Sequence, residues 1–162
     1  MQSEGNLGLW ILVGGGLLLW LLYFQGGGSA VTSGPTTGTP LDAWAQAIAD
    51  FESGGNPNAL NYRNNNPGNL KYAGQPGATG QDSRGFAIFG SLQDGWDALT
   101  RQLQKYVNDH PDFTLLQMMT LYLGGNPYAP VTTGQGNPFT YAQSIADKLG
   151  VQVSSTLRQI FG

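Results

Sequence analysis

The sequence predicts an α+β chain, mostly helical with one small β-hairpin, preceded by a single transmembrane helix. Three observations predict it. Residues 7–24, "LGLWILVGGGLLLWLLYF", carry no charge, and at about 1.5 Å per residue they would make a helix of roughly 27 Å, near the thickness of a bilayer core. From Leu41 onward, apolar residues recur mostly at helical spacing. Between the first two such segments, "NLKYA" and "FAIF" are short strand candidates separated by a Gly-rich loop.

Taken in order, residues 1–6 are a polar tail and 7–24 the expected anchor. Trp10 near one end of the span, with Trp20 and Tyr23 near the other, suits aromatic anchoring at the two interfaces. A cleaved signal peptide is the rival reading, but the leading "MQSEGN" has no Lys or Arg and no clear A-x-A site follows. Neither flank of the span carries a basic residue, so charge assigns no orientation. Residues 25–40, "QGGGSAVTSGPTTGTP", read as a flexible linker of roughly 20 to 25 Å average span. Residues 41–162 are the expected domain, long enough to bury a core.

Within that domain, Thr39-Pro40-Leu41-Asp42 supplies a helix cap, a proline at the first helical position and an acid three residues after the cap, and Gly54-Gly55 supplies the stop. Ser91-Leu92-Gln93-Asp94 begins a second helix that ends before Pro111, with Asp94 as cap partner. "TLLQMMTLYL" at 114–123 is apolar almost all round and suits a buried helix, which places Met118 and Met119 in the core. Asn137-Pro138 starts a fourth helix closed by Gly150, and Ser154 or Ser155 is expected to cap a short last one.

Composition narrows the chemistry. The 162 residues carry a formal charge of −3 and only 10% charged side chains, with no basic stripe for nucleic acid to follow. Cysteine is absent and His110 is the only histidine, which removes thiolate chemistry and most His-based zinc sites. His110 itself, between Asp109 and Pro111, reads as a solvated cation at a helix end. No metal and no cofactor is expected.

Glu52 is the only glutamate after the expected span. At 100° per residue, Leu41, Trp44, Ile48 and Phe51 cluster on one side of the first helix and Glu52 falls at the edge of that stripe, while Asp50 points away. Apolar neighbours and the negative end of the helix dipole both disfavour charge there. Such a setting suits a general acid at a glycosidic oxygen. A solvated glutamate near a helix end is the plain alternative.

The residues that follow resemble a known family. "ESGGNPNALN" at 52–61 resembles the signature of the lysozyme-like lytic transglycosylases, in which the catalytic Glu is followed by Ser-Gly, Asn-Pro, a small residue and Asn. "RNNNPGNLKY" at 63–72, "GFAIFGSLQDGWDAL" at 85–99 and "YAPVTTGQGNPFTYAQSIADKLGV" at 128–151 are similar to the phage and bacterial branch of that superfamily. The resemblance covers nearly all of 41–151 and none of the span. It departs where better-known members carry Gly-Leu-Met-Gln and Ala-Tyr-Asn-Ala-Gly, replaced here by "GNLKY" and hinted at by "LYLGGN".

The resemblance implies a lysozyme-like domain that cleaves the MurNAc-GlcNAc bond of peptidoglycan. Glu52 would protonate the leaving oxygen and then deprotonate the MurNAc C6 hydroxyl, giving a 1,6-anhydro product. Ser53, Asn69, Tyr128 and Tyr141 are the substrate-binding candidates. Ser53 reads equally as a helix-end residue, Asn69 as a turn former, and each tyrosine as a core residue with its hydroxyl satisfied. Asp82 reads as a loop acid, and stays open as a second carboxylate for ordinary hydrolysis. Expected partners are peptidoglycan strands and, through 7–24, a lipid bilayer. The setting expected is local wall opening during phage entry, from a virion membrane, or a bacterial inner membrane with the domain on its periplasmic side. Two alternatives stand beside this reading: a hydrolytic muramidase on the same fold, and a non-catalytic wall-binding virion membrane protein.

Overall fold

A computed structural model describes residues 38–129 and 137–162. Helix α1 (Pro40–Ser53) opens on a capping box: Thr39 Oγ1 accepts the Asp42 N–H at 3.2 Å, and the Asp42 carboxylate accepts the Thr39 N–H at 2.9 Å. It closes on Gly54 at φ 56°, a left-handed position suited to glycine. A single-turn helix, α2 (Leu60–Arg63), follows. The hairpin pairs β1 (Ala78–Gln81) with β2 (Ala87–Phe89), antiparallel, with an irregularity between Ala78 and Gly80. Then come α3 (Leu92–Asp109) capped by Ser91, α4 (Leu115–Tyr122) capped by Thr114, α5 (Pro138–Leu149) capped by Asn137, and α6 (Leu157–Phe161).

The expected fold class requires correction. The described chain is mixed helical with one two-stranded antiparallel sheet, and none of its helices is long and apolar enough to cross a membrane. The reason is compositional: α3, with 18 residues, carries Asp94, Asp97, Arg101, Lys105 and Asp109, whereas the strongly apolar α4 has only 8. The span expected at 7–24 and most of the linker lie outside the described residues. Smaller differences concern element identity. "NLKYA" contributes only an isolated bridge, Lys71 to Phe86, and the first hairpin strand comes instead from "ATGQ" in the Gly-rich loop. The last helix is capped by Thr156, whose hydroxyl accepts the Gln159 N–H, in place of either serine.

One core joins the helices. Trp44, Ile48, Leu99, Leu103, Leu115, Met118, Met119, Tyr141, Ile145 and Leu157 are buried together, with α5 packed on α1 and α4. A smaller cluster of Ala87, Phe89 and Ala98 sits under the hairpin, and Leu70 packs against both. Between α2 and the hairpin, three consecutive asparagine side chains supplement the main-chain pairing of Phe89 with Asn64 and of Ala87 with Leu70. Asn64 Nδ2 donates to Asp82 Oδ2 at 3.0 Å, Asn65 Nδ2 to the Phe89 carbonyl at 3.1 Å, and Asn66 Nδ2 to the Ala87 and Leu70 carbonyls at 2.9 Å each. Asn66 Oδ1 also accepts the Leu70 N–H at 2.8 Å. Gly95 lets α3 lie against this turn, since a Cβ there would stand 1.9 Å from the Asn65 carbonyl oxygen.

Removing the Asn66 side chain leaves the Leu70 N–H without its partner and takes a donor from two carbonyls. At about 1–3 kcal/mol for a desolvated group so orphaned, Asn66→Ala is expected to lower unfolding stability by about 3 kcal/mol. Urea denaturation should show a reduced midpoint at unchanged slope.

Candidate active site

Glu52 lies in the last turn of α1, half-buried, where the stripe that buries Trp44 and Ile48 meets the surface. Both carboxylate oxygens are held. Oε2 accepts from Asn69 Nδ2 at 2.8 Å and Oε1 from the Tyr141 hydroxyl at 2.8 Å. These donors come from the asparagine turn and from α5, so three separate parts of the chain meet at one side chain. Hydrogen bonds to a charged acceptor contribute about 1.5–3 kcal/mol each.

The donors are themselves fixed. Tyr141 is 1% exposed, and its ring stacks on Phe51 at a centroid distance of 3.9 Å and meets Tyr122 edge-on at 6.2 Å. Burial above all, then the Tyr122 hydroxyl, the Glu52 charge and the hydrogen bond to Glu52, push its hydroxyl well above the ordinary tyrosine range. It therefore remains a neutral donor at physiological pH. Burial, followed by Glu52 and Tyr106, does the same to Tyr122, whose hydroxyl donates to the Gly68 carbonyl at 2.5 Å. Gly68 permits that approach, because a Cβ there would stand 2.7 Å from Leu99 Cδ1 and 2.9 Å from the Tyr122 oxygen. Asn69 holds a left-handed backbone, φ 49°, which asparagine tolerates better than most residues.

Glu52 opens onto a cleft of about 480 Å³, lined also by Gly68, Asn69, Leu70, Lys71, Phe86, Gln102, Tyr106, Tyr122 and Leu123. The volume and the mixture of aromatic faces with a few polar groups suit a small organic ligand or a short oligomer segment. Among the described residues lining it, Glu52 is the only acid. Asp82 is held elsewhere: it accepts from the Arg84 and Phe86 N–H groups at 2.9 and 3.0 Å and from Asn64. Burial pushes the Asp82 carboxyl up, but those hydrogen bonds and the Arg84 charge outweigh it and hold the group below the usual range. Asp94 caps α3 through Ser91. Among the described residues no group of three or more His, Asp or Glu side chains gathers as a metal would require.

The structure brings two of the four substrate-binding candidates to Glu52, in a different role. Asn69 and Tyr141 grip the carboxylate, and the buried Tyr141 ring offers no face to a sugar. Ser53 completes the helix end, donating to the Asp50 carbonyl at 3.2 Å and accepting the Gly55 N–H at 3.1 Å. Tyr128 is 76% exposed, stands edge-on to Phe113 and is not among the residues lining the cleft. His110 caps α3 and stacks on Phe113 at 4.5 Å. Sequence reasoning missed most of the cleft residues, among them Lys71, Phe86, Gln102, Tyr106, Tyr122 and Leu123. Tyr122 alone carried a signal, as the one residue in "TLLQMMTLYL" with an aromatic hydroxyl that a buried helix must satisfy. No family model, curated protein or solved structure matches the chain.

Buried tyrosines with raised folded-state values bind their protons more tightly folded than unfolded. Their contribution is full below the unfolded value of 10.0 and is lost as pH rises past it. The wild-type protein should thus lose stability steeply above about pH 10. Tyr141→Phe and Tyr122→Phe should each flatten that alkaline slope in chemical denaturation run at a series of pH values.

Proposed function

We propose that this chain is a peptidoglycan lytic transglycosylase in which Glu52 acts first as general acid and then as general base. The observation that carries the reading is a cleft with a single acid, gripped by two neutral donors and lying within the Glu-Ser-Gly motif. Glycosidases that use water or a covalent intermediate employ two carboxyl groups across the scissile bond. With one, a nucleophile supplied by the substrate removes the need for the second.

In the first half, Glu52 gives its proton to the GlcNAc O4 as the MurNAc C1–O4 bond breaks. In the second, the resulting carboxylate takes the proton of the MurNAc C6 hydroxyl while O6 bonds to C1. Glu52 returns to its starting state, no water is consumed, and the product ends in 1,6-anhydroMurNAc. Tyr141 suits both halves, because a hydroxyl can accept from the acid and donate to the carboxylate. Asn69 Nδ2 stabilises the charged form.

The test is digestion of purified murein by the protein, with mass analysis of the soluble fragments. Ends lighter by one water than reducing ends are expected. Reducing ends would instead assign a hydrolytic muramidase to the same carboxylate, and an absence of soluble fragments would overturn both. Glu52→Gln should reduce turnover by roughly 10²–10⁴-fold while leaving the fold and murein binding intact.

Asn69 and Tyr141 act through Glu52 in this scheme. Asn69→Gly keeps the left-handed backbone and removes the amide, and Tyr141→Phe keeps the stack on Phe51 and removes the hydroxyl. Each is expected to lower kcat by about 10- to 100-fold with little change in KM, the loss of one hydrogen bond to a charged group. A fall in murein affinity at unchanged kcat would place them against the substrate instead.

A further inference from the structure

Glu52 and Lys71 are the only charged residues among those lining the cleft, and Lys71 is held more firmly than an exposed lysine ordinarily is. Its backbone bridges to Phe86, and its carbonyl accepts from Gln75 Nε2 at 2.5 Å. Its ammonium sits 3.8 Å from the centre of the Phe86 ring and donates to the Arg84 carbonyl at 2.9 Å. That donation uses one of three N–H bonds. The other two are available to a ligand, and the entropy of ordering a long side chain is already met by the protein. Leu70, anchored in both cores, fixes the segment in between, so Asn69 holds Glu52 and Lys71 stands two residues further on.

A fixed cation lining the same cleft as the acid calls for an anionic group on the ligand. The chain as a whole carries −3, so general electrostatics oppose an anionic polymer and its recognition must be local. Resting on the transglycosylase reading above, we propose that Lys71 is a specificity-determining residue that binds a substrate carboxylate beside the scissile linkage. In peptidoglycan that carboxylate belongs either to the stem peptide or, where the peptide has been removed, to the free lactyl group of MurNAc.

The experiment uses the full chain with Lys71→Met, which keeps the alkyl stem on Phe86, and Lys71→Arg, which restores the charge. Substrates are peptide-bearing glycan strands and strands stripped of peptide by an amidase. Lys71→Met should raise KM about 10-fold at low salt with kcat within about 2-fold, as expected for one charge-assisted hydrogen bond. Lys71→Arg should recover most of the loss. Raising NaCl should narrow the difference in KM between the wild type and Lys71→Met. An effect confined to peptide-bearing strands assigns a stem-peptide carboxylate, and one confined to or larger on stripped strands assigns the lactyl group. Equal KM for wild type and Lys71→Met on both substrates, with the wild type active, overturns the Lys71 assignment and leaves the activity standing. If the wild type cleaves neither substrate, the activity reading fails and cosedimentation with the same strands decides the assignment. Salt-sensitive capture lost in Lys71→Met sustains it, and equal capture overturns it.

Discussion

Three adjacent asparagine side chains fasten the hairpin to the helices, and the placement of the cleft follows from them. Asn64, Asn65 and Asn66 reach Asp82, Phe89 and Ala87 respectively, while the Asn64 carbonyl accepts the Phe89 N–H at 2.9 Å. A two-stranded sheet of four and three residues is marginal alone. Here the turn preceding it supplies edge partners of the kind a third strand would. Asn66 is fully buried and has no charge to desolvate, so its amide can supplement backbone pairing at low electrostatic cost.

The same turn also shapes the candidate site. Having satisfied the hairpin through Asn66, the chain closes with Gly68 under Tyr122 and turns at Asn69, whose left-handed backbone aims the amide at Glu52. From the other side, α5 brings Tyr141 against Phe51, the residue immediately before the glutamate. The carboxylate is therefore positioned by its own helix, by a turn and by a distant helix. Moving any one of the three by an ångström would break a contact at 2.8 Å. Local stability and site geometry are not separable in this region, since Leu70 joins both cores while its two neighbours face the cleft.

Much of this was legible in the amino-acid sequence where the signal was local. The helix starts at Thr39, Ser91, Thr114 and Asn137 follow from side chains that satisfy nearby backbone groups, a relation confined to three or four residues. Glu52 was visible for the same reason, as the acid at the edge of an apolar stripe. The hairpin was half legible: "FAIF" has strand composition, but "ATGQ" lacks it and is a strand through its pairing with Ala87–Phe89. "NLKYA" has the better strand composition, and its Lys71 makes a bridge to Phe86 only. The roles of Asn69 and Tyr141 depend on contacts 17 and 89 residues away along the chain. Periodicity carries no such information.

Two acids, one in the cleft and one outside it, have opposite surroundings. Asp82 accepts two backbone N–H groups and the Asn64 amide, an environment that commits it to the ionised state and makes it a fastener of the hairpin. Glu52 accepts one amide and one hydroxyl, and a hydroxyl can reverse its role when the carboxyl takes up a proton. A group that must give a proton and then recover one needs partners that tolerate both states. A backbone amide can only donate, so a carboxylate held by backbone amides is poorly suited to the cycle. The Tyr141 hydroxyl meets the requirement, and its own raised proton affinity keeps it from becoming a competing acid. Under the proposed function these surroundings favour Glu52 over Asp82 as the acid, and Asp82 instead holds the hairpin.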